Sequence, residues 1–269
     1  MKRLDHPLMA RGLKARHDRR EILHGLDVAF PAGGLTVIVG PNACGKSTLL
    51  RSLARLHPTS DGAVLLDGSE IAGLRQRDLA RRLAVLPQGA EAPDGITVAD
   101  LVSRGRHPHQ GLFRRWSSAD EAAVADAMAA TGVAALASRL LHELSGGQRQ
   151  KVWIAMALAQ ATDILLLDEP TTFLDIAHQI EILELCRSLS LAGKTLVAVL
   201  HDLNQACRYA TNLVAMKEGA IAAQGAPAEI VTAELVQHVF GIACIVIADP
   251  ITGTPMIVPG RSQGGVPAR

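Results

Sequence analysis

The sequence predicts an α/β fold in which buried strands alternate with helices, an all-helical stretch interrupts the series, and a C-terminal appendage follows. Three observations carry this. Short apolar runs recur at Leu35–Val39, Leu83–Leu86, 163–168 and 195–200, the pattern of parallel strands covered on both faces. The first run leads through a glycine loop into Leu49, Leu50, Leu53 and Leu56, the spacing of one helix face. From Glu91 to Ala161 the strand signals thin out and the chain turns alanine-rich and helical in pattern.

Bulk properties bound the reading. The 269 residues suit one large domain or a core with a smaller insert, and 48% hydrophobic residues suffice for a sizeable core. No apolar stretch approaches the roughly 20 residues of a membrane span. The basic start Met1-Lys2-Arg3 lacks a following apolar segment, so no secretory signal is expected. Cys44, Cys186, Cys207 and Cys244 are scattered and read as reduced thiols rather than a zinc site. A net charge of +1 and seven aromatic residues offer neither a charged footprint nor a stacking platform for nucleic acid.

In chain order, the first 20 residues carry Lys2, Arg3, Arg11, Lys14, Arg16, Arg19 and Arg20 against Asp5 and Asp18, and read as a solvated, irregular lead-in. Residues 22–30 alternate loosely and read as a strand ending at Pro31. After the glycine loop and its helix, residues 59–62 read as a turn and 63–66 as a short strand. Ser118-Ala119-Asp120-Glu121 reads as a capping box, with Gly132 ending its helix. Residues 181–191 read as a helix, and 213–216 with 220–222 as a hairpin across Lys217-Glu218-Gly219. The tail from Pro259 is glycine-rich and reads as frayed.

The chemistry begins at Gly40-Pro41-Asn42-Ala43-Cys44-Gly45-Lys46-Ser47-Thr48. Its G-x-x-x-x-G-K-S spacing, between a strand and a helix, is that of a phosphate-binding loop. Backbone N–H groups turn inward, the helix adds its positive end, Lys46 reaches the outer phosphates and Ser47 can hold Mg²⁺. Such a loop needs a carboxylate for the metal, and Asp168 stands at the end of an apolar run. Glu169 follows, suitably placed to polarise an attacking water. Leu144-Ser145-Gly146-Gly147-Gln148 offers a second anion-binding helix start, with Ser145 as N-cap and two glycines baring the backbone. Two phosphate sites but one metal carboxylate suggest that the second serves a partner subunit.

With that stretch upstream of Asp168, the sequence resembles the ABC-type ATPases. The resemblance implies a P-loop NTPase (RecA-like) core of residues 20–88 and 162–235, with an N-terminal antiparallel β subdomain and an inserted α-helical subdomain at 89–161. A C-terminal appendage at 236–260 and a flexible tail at 261–269 complete a single domain. It also implies ATP and Mg²⁺ as ligands, with Ser47, Gln88 and Asp168 at the metal. Gln88 resembles the family's Q-loop glutamine, Asp175 after Phe173 and Leu174 its interface D-loop, and His201 the switch histidine at the γ-phosphate. Two copies would sandwich ATP head to tail, each contributing Ser145, Gly146, Gly147 and Gln148 to the other's site.

Two departures stand out. Ala43 occupies a place commonly glycine, with little cost at a helical φ and about 1 kcal/mol of strain at a positive one. His17 falls where the family stacks a tyrosine under adenine. Arg104-Gly105-Arg106-His107-Pro108-His109 with Phe113 and Trp116, residues 200–206 and residues 226–232 resemble the subfamily serving iron–siderophore, haem and cobalamin importers, closest to ferric-enterobactin-type uptake. The Arg104 to Trp116 stretch reads as an exposed loop or a docking face for a permease. The implied protein is peripheral, on the cytoplasmic face of the inner membrane, with integral permease subunits as partners and a substrate-binding protein acting indirectly. A haem or cobalamin importer, a soluble non-transport ABC ATPase, and a P-loop kinase or GTPase are the alternatives, the last disfavoured by the second anion site.

Overall fold

The computed structural model describes residues 5–111 and 116–260. Strands β1 (Leu8–His17) and β2 (Arg20–Phe30) open the chain, followed by β3 (Leu35–Val39) and α1 (Lys46–Leu53). Then come β4 (Thr59–Leu66), β5 (Ser69–Glu70), α2 (Gln76–Ala80) and β6 (Leu83–Leu86). Helices α3 (Val98–Ser103), α4 (Ser118–Ala130) and α5 (Gly146–Ala159) fill the next stretch. The chain returns through β7 (Ile164–Asp168), α6 (Ile176–Leu191), β8 (Thr195–Val199), α7 (Leu203–Tyr209), β9 (Asn212–Lys217) and β10 (Ala220–Gly225). Helices α8 (Pro227–Ile230) and α9 (Ala233–Phe240) and the hairpin β11 (Cys244–Ala248) and β12 (Pro255–Pro259) close it.

A six-stranded sheet of order β10-β9-β3-β8-β7-β6 is parallel except at β10. Its strands read as continuous apolar runs because both faces are covered. Leu35, Val37 and Val39 join one buried cluster with the helices of the middle and later chain, while Ile38 joins the other. That second cluster holds α1 against an antiparallel sheet of order β2-β1-β4-β5. Leu49, Leu50 and Leu53 are wholly buried there, each burial worth about 1.5–3 kcal/mol. The helix carrying the glycine loop is thereby clamped between two sheets. No helix among the described residues is long and apolar enough to cross a membrane.

Five local readings are corrected. The lead-in contains β1, whose buried residues Leu8, Ala10, Leu13 and Ala15 break their two-residue period by three at Gly12. The pairing to β2 shifts there and Asp27 Oδ1 accepts the Gly12 N–H at 3.0 Å, so a bulge hid the strand. Residues 59–62 belong to β4, because Thr59 and Asp61 pair with Ala15 and Lys14 of β1. The capping box is one residue earlier: Ser117 accepts the Asp120 N–H while Asp120 Oδ2 accepts the Ser117 N–H. Leu56 lies beyond α1 and is half exposed, since the chain turns away at Arg55 with φ 56. Arg104–His109 is a 3₁₀ turn with Gly105 and Arg106 buried, not an exposed loop. Arg106 donates to Asp120 Oδ1 and to the Ala159 carbonyl, which ties it inward. Phe113 and the tail after Gly260 lie outside the described residues.

Candidate functional site

The loop between β3 and α1 is held by its own lysine. Lys46 Nζ donates to the carbonyls of Gly40 and Pro41, both at 2.8 Å. Gly40 is required by close approach, since a Cβ there would lie 2.3 Å from the Met216 carbonyl oxygen. Ala43 adopts φ 61, so the strained alternative for this position is the one realised. Gly45 caps α1 without any side-chain acceptor, which leaves the first-turn N–H groups to a bound anion. Burial pushes the Cys44 thiol above its ordinary pKa, with Lys46 opposing.

Parallel pairing of β3, β8 and β7 brings the loop and the ends of the later strands to one edge of the sheet. Ser47 Oγ donates to Asp168 Oδ1 at 2.9 Å. Arg51, one turn along α1, places Nε 3.3 Å from Asp168 Oδ2 as an ion pair, yet that buried oxygen accepts no hydrogen bond. Burial raises the Asp168 carboxyl above its ordinary value, with Ser47 and Arg51 pulling it down. A buried carboxylate oxygen lacking a donor, beside a serine hydroxyl, fits a hard divalent cation.

Glu169 turns the chain at φ 54. Gln88 Nε2, just past β6, donates to its Oε2 at 2.6 Å, and Thr172 Oγ1 donates to the same atom at 3.0 Å. His201 Nε2, just past β8, lies 2.8 Å from Oε1. The structure thus gathers Ser47, Gln88, Asp168, Glu169 and His201 around one strand edge. Arg51 and Thr172 escaped the sequence reading, although their spacing from Ser47 (i+4) and Glu169 (i+3) was available.

Ser145 caps α5 as its sequence suggests. Its Oγ accepts the Gln148 N–H at 3.2 Å, and Gln148 Oε1 accepts the Ser145 N–H at 3.1 Å. Gly146 lines a cavity of about 370 Å³ with Gln88, Asp168, Glu169 and Phe173. Pro41 to Cys44 instead border a separate cavity of about 570 Å³ with Lys217 and Gln237. Asp175 caps α6, its Oδ1 accepting the His178 N–H at 2.9 Å. His17 ends β1 with its side chain 78% exposed, 3.4 Å from Asp18 Oδ2. It does not line the loop's cavity, to which the N-terminal sheet contributes Arg20, Glu21, Ile22 and His24.

A family model described as ABC transporter matches residues 23–172. The ferric enterobactin transport ATP-binding protein FepC of Escherichia coli (strain K12) is 56% identical over 243 residues, covering 90% of each chain. The petrobactin import ATP-binding protein FpuD of Bacillus anthracis is 52% identical over 239 residues, covering 88% of each. Among solved structures, a metal-chelate type ABC transporter in an inward-facing conformation superposes with a TM-score of 0.82 at 26% identity, covering 96% of this chain and 98% of that one.

Proposed function

We propose, from the premise that this chain belongs to the ABC transporter family, that it is the ATP-hydrolysing subunit of a ferric siderophore importer. The gathering of Gln88, Asp168, Glu169 and His201 beside the phosphate loop supports the catalytic part most directly. The cargo class follows what FepC and FpuD are named for.

Lys46 leaves the carbonyls of Gly40 and Pro41 for the outer phosphates of ATP, and the N–H groups of α1 hold the chain of phosphates. His17, although outside the cavity that borders the loop, remains the candidate for the adenine, its exposed imidazole being free to turn a face to the base. Ser47, Gln88 and Asp168 would hold Mg²⁺, which when bound neutralises charge on the phosphates. Glu169 exchanges His201 and Gln88 for a water, accepts its proton as the oxygen bonds to the γ-phosphorus, and the bond to ADP breaks. His201 turns to hydrogen-bond the γ-phosphate. Ser145 to Gln148 of a second copy close the site from the other side, so ATP draws two chains together and hydrolysis releases them. Asp175 contributes to the interface between the copies.

The subunit works peripherally on the cytoplasmic face of the membrane, beneath integral permease subunits, with a substrate-binding protein acting from the far side. Reconstitution with the permease and binding protein of a ferric siderophore importer tests this reading. ATP hydrolysis rises when the binding protein carries a ferric siderophore. Stimulation by haem or cobalamin alone would contradict the cargo, and stimulation by DNA or ribosomes without a permease would contradict the importer role.

A further inference from the structure

Gly147, in the first turn of α5, lies against the imidazole of His178 on α6. A Cβ on Gly147 would stand 2.0 Å from Cδ2, 2.5 Å from Cγ and 2.8 Å from Nε2 of that ring. No side chain fits there. The ring is oriented from its other side, where Nδ1 lies 2.8 Å from Asp175 Oδ1, the same oxygen that caps α6. One residue earlier the contact continues, because a Cβ on Gly146 would meet Leu174 Cδ2 at 3.5 Å. About one turn further along both helices, Lys151 Nζ and Glu181 Oε2 pair at 2.8 Å. The start of α5 and the start of α6 are therefore joined along a seam, with His178 at its end nearest both helix tips.

We propose that His178 is a positioning residue for ATP hydrolysis: seated on the bare Cα of Gly147 and held by Asp175, its imidazole sets the tip of α5 against the segment that begins α6. Both segments then reach the second copy as one unit. The proposal rests on the head-to-tail dimer of the preceding reading. It assigns the need for glycine at position 147 to a cause that lies within the chain. A truncated ring leaves the capping N–H of His178 in place, so α6 persists while the tip of α5 loses its stop. A displacement of about 1 Å at a group that must meet a phosphate can lower a rate by about 10²-fold.

The test uses the full-length chain with His178→Ala, Gly147→Ala and the double variant, each alone and with Glu169→Gln. With His178→Ala, kcat falls roughly 10- to 100-fold, while affinity of the single chain for ATP and the melting temperature stay near wild type. The ATP-induced dimer of Glu169→Gln, read by size-exclusion chromatography, diminishes when His178→Ala is added. Gly147→Ala abolishes hydrolysis beside His178 and recovers to the His178→Ala level once the ring is removed. Equal inactivity of Gly147→Ala in both backgrounds would assign the glycine to the nucleotide and overturn the proposal. Wild-type kcat and undiminished dimer in His178→Ala would overturn it as well. If Gly147→Ala does not fold, His178→Ala decides alone. Failure of Glu169→Gln itself to dimerise on ATP would overturn the dimer reading and this proposal with it.

Discussion

His201 Nε2 lies 2.8 Å from Glu169 Oε1, so the two residues proposed for the γ-phosphate and its attacking water meet at the ends of the neighbouring parallel strands β8 and β7. Glu169→Gln retains the size of the side chain but not its basicity. Hydrolysis then falls by about 10²–10⁴ while ATP binding persists, and the closed dimer accumulates. Phosphate release in a single turnover measures this, and near-normal turnover would remove Glu169 from its role.

Ala43 at φ 61 holds a conformation that suits glycine better. Ala43→Gly relieves about 1 kcal/mol of strain and loses part of it to a more flexible unfolded chain, leaving a gain of about 0.5 kcal/mol. Ala43→Val, branched at Cβ, loses stability at the same place. Urea unfolding of the nucleotide-free protein checks both signs, and a less stable glycine variant would count against the backbone argument.

Asp120 and Arg106 form a buried pair at 3.0 Å that joins α4 to the 3₁₀ turn before it. The Ser117 hydroxyl, then Arg106, hold the Asp120 carboxyl at about 2 against an ordinary 3.8. Its contribution to stability is therefore full above about pH 4 and lost as pH falls towards 2. Asp120→Asn leaves Arg106 buried and unpaired and costs about 3–5 kcal/mol at neutral pH. The gap from wild type narrows through that acid window. A gap independent of pH would show that the charge is not what matters.

His17 stands on the open tip of β1, 78% exposed. Stacking on a base is worth about 1–3 kcal/mol, and an imidazole gives the low end. His17→Ala therefore weakens ATP by about 1 kcal/mol, roughly fivefold, and His17→Tyr tightens it. Calorimetric titration reads the two shifts, and affinity unchanged in both variants would take His17 out of the nucleotide site.

What the sequence made legible was contiguous. Gly40 to Thr48, Ser145 to Gln148 and the pair Asp168-Glu169 each announce themselves within one short stretch, because helix starts and strand ends do their chemistry locally. β1 stayed hidden because the bulge at Gly12 breaks its alternation. The positive φ of Glu169 and Ala43 leaves no mark on residue type. His178 on Gly147 spans two helices and 30 intervening residues, and nothing in the local pattern of either helix foretells it.

The working site proposed here is shared between two chains, the loop of one meeting the α5 tip of the other. Ser145→Arg spoils the α5 tip and Lys46→Ala spoils the loop, so neither homodimer has an intact site. Mixing the two chains creates one site that joins the intact loop of the first to the intact tip of the second. ATP hydrolysis by the mixture, measured against each variant alone, rises well above both if the site is assembled head to tail. Hydrolysis no higher than that of the separate variants would contradict it.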